Sequence, residues 1–496
     1  MSGKQPFFPS ERTALGVILG YFGLHVLLRT LVSGSMQLDE AEQFLLAQDW
    51  SWGYGSQPPL YTWLQRAFIG AFGTNVFALA LLKNVLLCGI FIMTFLVARR
   101  LLGNGPDALL AGAGLLLFPG LTWESQRDQT HLVLATFMAA ATLYVVVHSF
   151  PKPSIRSAAL LGLLGGLGLL SKYNFAVFLV ALMLAALSLP TWRSGILTLR
   201  MLVALLVCVA VVLPHLGWAW THAALALSQS GKFQIRPELS LSSAWLKGAS
   251  QVAGGILENA VVPVALFGLL SLRGPKPADS AGVNPQAPRL ALVWRTVFFG
   301  LGLSLCCVLA FQVTNVKARW FQPLLFVLPV LMLAHVRPRL SPARQRILFL
   351  LAGLVMVVVP AIMYGGVVVA GWTKRLTNLN VPYNELSARI RQAGFTNGLI
   401  LAENRIIGGN LKLQFPDSVV AVPEVVPAGL PQAAPVMLAW KPGARHSPKP
   451  ALLQFAASLG HTNLGAAPTS TAIAPSKYAR WHQHELCFAI AWPPTD

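Results

Sequence analysis

Two short polar stretches of an apolar chain hold six of its seventeen carboxylates, and carboxylates so placed can do chemistry. The first, "QLDEAEQFLLAQDWSWGYGSQPPLYTWLQ", residues 37 to 65, carries Asp39, Glu40, Glu42 and Asp49; the second, "WESQRDQT", carries Glu124 and Asp128. A carboxylate beside a hydroxyl can act as a general base, and cations nearby can receive a departing anion. Cations are at hand. Arg127 adjoins Asp128, Lys172 stands in the apolar run "GLGLLSKYNFAVFL", and "NVKARWFQP" supplies Lys317 and Arg319. An ammonium in an apolar run is costly unless it snorkels or meets an anion.

Each feature also has a plainer reading. Asp39 could cap a helix, with Glu40 in its first turn. Trp52, Tyr54, Tyr61 and Trp63 could form an interfacial belt, although sugars also stack on aromatic faces and the Pro58-Pro59 step stiffens the loop that carries them. Arg127 and Asp128 could be a surface ion pair of little weight.

These residues must be positioned by membrane helices. With 55% hydrophobic residues, 11% charged residues and a mean hydropathy of +0.61, the chain is not composed like a soluble protein. A net charge of +20 would suit nucleic acid, but Lys and Arg lie in short clusters between apolar runs, so no nucleic-acid partner is expected. The surplus suits anionic headgroups and phosphates. Five cysteines without CxxC or Cys/His spacing indicate neither a disulfide framework nor a zinc site.

Basic residues mark the cytoplasmic loops. Lys4 and Arg12 place the N-terminus in the cytoplasm, before a span at 13–32 that is long for a cleavable signal and reads as an anchor. Residues 33–75 form the first external loop, and a span at 76–98 returns to Arg99 and Arg100. Spans at 107–122 and 130–148 follow, ending at Lys152 and Arg156. The run 157–190 has basic residues at both ends and must cross an even number of times, so two short spans meet at "SKYN". Such a break is tolerated where it is buried or lines a cavity. Spans at 201–220, 252–272, 293–313, 320–335 and 347–371 complete a set of about eleven, with Arg273, Lys276, Arg289, Arg295, Arg337, Arg339, Arg344 and Arg346 in cytoplasmic loops. The tail, 373–496, then lies outside.

The tail has a different composition. "NELSARIRQAG" reads as an amphipathic helix ended by Gly394, "GLILAE" as a strand, "NRIIGGNLKLQF" as a turn and helix, and "SVVAVPE" and "PVMLAWK" as strands. This predicts a small α/β domain, with no nucleotide-binding loop.

The order of features resembles the polytopic GT-C glycosyltransferases of the family 39 and 83 type, bacterial relatives of protein O-mannosyltransferases and of the aminoarabinose transferase that modifies lipid A. "LDEAEQ" with "QPPLYTWL", "ESQRDQTHLVLATFMAAATLY", "GLGLLSKYNFAVFL" and "ARWFQPLLFVLP" carry the resemblance, over residues 10 to 372. It implies a transmembrane GT-C domain, 1–372, with the 373–496 domain periplasmic, in a bacterial inner membrane. It also implies inverting transfer of a monosaccharide from a polyprenyl-phosphate donor to a lipid or glycan acceptor. Asp39 is then the general base, Glu40 its neighbour in the motif, and Asp128 the acid of the second loop. Arg127, Lys172, Lys317 and Arg319 are candidates for the donor phosphate, and Trp52, Tyr54, Tyr61, Trp63, Glu124 and Tyr173 for sugar or lipid contact. No cofactor is required on this reading; clustered carboxylates admit a divalent cation without demanding one. One departure concerns the donor phosphate: the first loop has no clear lysine where the aminoarabinose enzymes have one.

Two other readings stay open. A protein acceptor is the alternative within the same fold, and a lipid-linked sugar flippase the alternative outside enzymes, though no internal repeat of the acidic loop is present. A scaffold without catalysis would leave Asp39 as a cap.

Overall fold

The computed structural model describes residues 9–150, 152–227, 231, 234–236, 238–272, 286–431, 434–443 and 446–493. Lys4, Arg273 and Lys276, three of the topology cations, lie outside them. Among the described residues, seven helices are long and apolar enough to cross a membrane, and three bent pairs bring the number to ten; Ile155–Ser171 is a further, shorter apolar helix. These match the sequence-read spans one to one. The breaks have local causes. Helix Gly105–Leu116 bends by 65° into Gly120–Asp128 after Pro119, and Ala318–Leu325 bends by 56° into Leu328–Arg339, which has Pro329 in its first turn.

Contacts divide the chain into two compact units. The first comprises 1–22, 52–61 and 85–359, the second 23–51, 62–84 and 360–496. Composition places a boundary at 373, whereas packing groups the acidic stretch and the ends of the first two spans with the tail.

In the first unit, helices approach closely where side chains are small, as lipid offers no hydrophobic drive to pull them together. Ile155–Ser171 packs on Arg200–Thr221, and a Cβ on Gly162 would lie 2.2 Å from the Ala204 carbonyl oxygen. One on Gly166 would lie 2.8 Å from Val211. The chain then breaks at 172–174 and resumes as Phe175–Ser188, with the Phe175 ring filling the space beside Gly168.

In the second unit the tail builds a five-stranded sheet from β1 (Leu399–Ala402), β2 (Val419–Ala421), β3 (Val436–Trp440), β4 (Thr469–Ser476) and β5 (Ala479–Ala491), in the order β2-β1-β3-β5-β4. β1 pairs in parallel with β2 and β3, as an α/β reading expects. The β4–β5 hairpin, which the sequence reading missed, adds two antiparallel strands. Helices Tyr383–Gln392 and Arg405–Gln414 cover one face with Leu386, Ile390 and Leu411, and Phe415 just beyond the second helix and Leu45 from the acidic stretch join that core. Pro450–Ser458 covers the other face through Leu452 and Ala456. Gly394, at φ +99°, ends the first of these helices as read.

Gly162→Leu is expected to destabilise the protein by about 1–3 kcal/mol, because the Ala204 backbone cannot yield space. Gly16→Leu, where nothing lies within 4 Å, is the control. Melting of the two variants in detergent compares them, and equal melting temperatures would contradict close packing at Gly162.

Candidate active site

The acidic helix Leu38–Leu46 starts from Gln37, whose extended backbone makes it the cap. Glu40, the third helical residue, accepts the Gln37 N–H on Oε2 at 3.0 Å, as in a capping box. Asp39 is therefore not the cap, contrary to the plainer sequence reading; it is the second helical residue, partly exposed.

Glu40 is 2% exposed. Its Oε1 accepts from Arg29 Nε at 3.1 Å and its Oε2 from Arg29 Nη2 at 2.6 Å, a two-pronged pair. Lys83 Nζ lies 3.7 Å from Oε1. Arg29 also donates to the carbonyls of Ser33 and Ser35 at 2.9 and 2.7 Å, tying the end of the first span to the start of the loop. Burial alone would raise the Glu40 pKa, but Arg29 and Lys83 outweigh it and hold the carboxyl at about 2. Grouped with Asp39 by the sequence, Glu40 is here a fixed anion engaged by two cations.

The sheet domain carries the rest of this helix. Arg405 Nη1 meets Glu42 Oε1 at 2.5 Å. Burial works against the charge on Arg405, yet Glu42, Glu424 and Asp39 hold its pKa above the ordinary value. A Cβ on Gly409 would lie 2.2 Å from the Ala41 carbonyl oxygen, so helix Arg405–Gln414 approaches the acidic helix backbone to backbone. The Asn410 side chain accepts the Met36 N–H at 2.8 Å, Gln48 exchanges two hydrogen bonds with Val420, and Asp49 Oδ2 accepts the Ala428 N–H at 2.8 Å. Trp63 donates its indole N–H to the Ser51 carbonyl at 2.9 Å, and its ring neighbours Trp50. It holds the loop.

The other candidates fall in the first unit. Several of them gather at the break at 172–174. His215 accepts or donates on both ring nitrogens, 2.6 Å from the Trp52 carbonyl oxygen and 3.1 Å from the Tyr173 hydroxyl. Since a carbonyl only accepts, Nδ1 carries the proton toward Trp52, and Nε2 faces the Tyr173 hydroxyl. The His131 ring lies tilted against Tyr61, with centroids 5.3 Å apart, and contacts the Ser171 carbonyl at 3.3 Å. Trp52 and Tyr173 keep exposed rings, whereas Tyr54 and Tyr61 are buried. Lys172 follows the helix end, partly exposed.

Amide side chains join that break to the remaining segments. Asn174 donates to the Trp320 carbonyl at 3.0 Å and Asn259 to that of Ala318 at 2.8 Å, so the backbone is pinned on both sides of Arg319. Gln322 donates to the Gly120 carbonyl at 3.2 Å and to Ser125 Oγ at 2.9 Å, fastening the π-turn Gly120–Glu124. Arg127 pairs with Glu124 at 2.9 Å, one helical turn away, in an exposed bridge. Lys317 and Arg319 are exposed. Arg29, Lys83, His131, His215, Asn259 and Gln322 escaped the sequence reading. The signal was available for Lys83, Asn259 and Gln322, because a polar group inside an apolar run must find a partner. Among the described residues, no cluster of three or more His, Cys, Asp or Glu is arranged to hold a metal ion.

This is the fold of a polytopic GT-C glycosyltransferase. The solved structure of ArnT from Cupriavidus metallidurans bound to undecaprenyl phosphate superposes with a TM-score of 0.60 at 13% identity, covering 98% of this chain and all of that one. The family model described as dolichyl-phosphate-mannose-protein mannosyltransferase matches residues 56–218. Among curated proteins, the lipopolysaccharide core galacturonosyltransferase RgtA of Rhizobium johnstonii is 33% identical over 439 residues, 87% of each chain. RgtB of the same organism is 32% identical over 404 residues, 81% of each. The chain belongs to the family of RgtA and RgtB, and is a membrane glycosyltransferase.

Arg29→Ala leaves the buried Glu40 carboxylate with Lys83 alone and without its two-pronged hydrogen bonds, and is expected to cost about 3–5 kcal/mol, read as loss of monodisperse protein. The pH dependence has a defined sign. Glu40 has a lower pKa folded than unfolded, so its contribution is complete above about pH 4.3. It is lost as pH falls toward about 2. Glu40→Gln should flatten that part of the stability profile, and an unchanged acid slope would contradict the assignment.

Proposed function

We propose that this chain transfers a monosaccharide from a polyprenyl-phosphate donor to a lipid or glycan acceptor of the bacterial envelope, with inversion, on the periplasmic side of the inner membrane. The N-terminus is then cytoplasmic and the sheet domain periplasmic. The likeness to RgtA along most of both chains supports a hexuronic acid as the sugar and the lipopolysaccharide core as the acceptor. The undecaprenyl phosphate held by the ArnT relative supports the carrier.

The observation that carries the reading is the division of labour between adjacent carboxylates. Glu40 takes the cap and the buried pair with Arg29 and Lys83, whereas Asp39, one residue earlier, is partly exposed and lies in the field of Arg405. Asp39 takes the acceptor hydroxyl proton as the oxygen attacks the anomeric carbon from the face opposite the phosphate. The bond from that carbon to the phosphate oxygen breaks, and its electron pair leaves with the phosphate. Lys172, Lys317 and Arg319 are the cations for the growing phosphate charge, with Arg127 a weaker candidate because it spends its guanidinium on Glu124. Trp52 and Tyr173 offer exposed rings for sugar or lipid. No cofactor is needed, as the donor carries its own leaving group, and no metal enters this scheme. The match to a protein mannosyltransferase model favours a second reading, with a peptide hydroxyl as acceptor.

The test is transfer from a panel of polyprenyl-phosphate sugars, including the galacturonate, to core lipopolysaccharide and to peptide by protein in nanodiscs. Asp39→Asn is expected to lower kcat by about 10²–10⁴ while the folded protein still binds undecaprenyl phosphate. Transfer within a few-fold of wild type would remove Asp39 as the base, and transfer to peptide alone would favour the second reading.

A further inference from the structure

The tip of the β4–β5 hairpin is built onto the ends of two membrane spans. A two-residue turn, Lys477-Tyr478, follows the pair Ser476 and Ala479. The Tyr478 hydroxyl donates to the carbonyl of Val32 at 2.9 Å, and Lys477 Nζ lies 3.4 Å from the carbonyls of Leu31 and Val32. Val32 is the last residue of the first span. Its end carbonyls lack helical partners and carry the negative end of the helix dipole, so a hydroxyl and an ammonium are suited to them. On the other side, Trp481 donates its indole N–H to the Gly371 carbonyl at 3.0 Å, just beyond the span Pro342–Val368. A Cβ on Gly371 would lie 2.4 Å from the Tyr478 carbonyl oxygen, so glycine permits this approach.

The depth of the tip is therefore set by where two spans end. At that depth Trp372 is 88% exposed, Trp481 57% and Leu31 63%. Lys374, Arg375, Lys477 and Arg480 are exposed on the same short segments. Uncovered indoles at the level of span ends match the headgroup layer of a bilayer, where one end of the ring is wet and the body is apolar. Four cations beside them are complementary to anionic phospholipid headgroups.

We propose that the hairpin tip and the segment 371–375 form a lipid contact, with Trp372 and Trp481 seated in the headgroup layer and the four cations on anionic phospholipid phosphates. The sheet domain is thus bound to the bilayer surface, not merely tethered by the last span. The acidic helix packs on that domain, so the contact also sets the height of Asp39 above the membrane.

The experiment uses full-length protein labelled with 5-fluorotryptophan in phosphatidylglycerol-containing nanodiscs, with fluorine resonances assigned by Trp372→Phe and Trp481→Phe. A lipid with a gadolinium chelate on its headgroup should broaden both resonances several-fold more than that of Trp440, which is buried in the sheet. The double variant Lys477→Glu with Arg480→Glu should lose most of the effect at Trp481 while Trp440 keeps its shift, which reports that the domain is folded. Should Trp440 shift in that variant, the Trp372 and Trp481 broadening in the otherwise unchanged protein decides alone. Broadening of both indoles by a water-soluble chelate, with the lipid chelate acting no more strongly than on Trp440, would overturn the proposal.

Discussion

A carboxylate buried against an arginine and a lysine cannot move without stranding charge, and Glu40 is such a carboxylate. It ties together the end of the first span through Arg29, the second span through Lys83 and the start of the acidic helix through the Gln37 N–H. Three chain segments distant in sequence or direction therefore share one anchor. Asp39 is held beside it by the rigidity of the helix, while Gly409, Asn410 and Arg405 press that helix onto the sheet domain. The tail is thus part of the scaffold for the acid.

The first unit solves a related problem with amide side chains. Its helices break at 117–119, at 172–174 and near Phe326–Val327, and each break frees backbone groups that lipid cannot satisfy. Asn174, Asn259, Gln322 and Ser125 supply the partners. The candidate cations stand on these pinned segments, so broken helices and amides belong to one design: irregular backbone offers exposed positions, and amides make it rigid.

Much of this was legible in the sequence, for physical reasons. Apolar runs and basic loops locate the spans because lipid tolerates little else. The break at "SKYN" followed from the need to cross an even number of times. In the tail, Gly394 and the apolar strands announced themselves by local pattern. The β4–β5 hairpin did not, because its turn is Lys-Tyr where a Gly- or Asn-based turn would be recognised, and β5 begins with a polar stretch, "RWHQHE". Asp39 was found by type and place, yet its distinction from Glu40 was not, since the partners of Glu40 lie 11 and 43 residues away in the chain, at Arg29 and Lys83. Ion pairs of that separation leave no local pattern.

The claim that most depends on this geometry is that Asp39 titrates as the base while Glu40 stays ionised throughout the working range. The direct measurement is the pH profile of kcat/KM for wild type, Asp39→Glu and Glu40→Asp, each of which keeps a carboxylate. If Asp39 is the base, the acid limb is displaced in Asp39→Glu and stays in place in Glu40→Asp. A limb that moves with Glu40→Asp and ignores Asp39→Glu would contradict it.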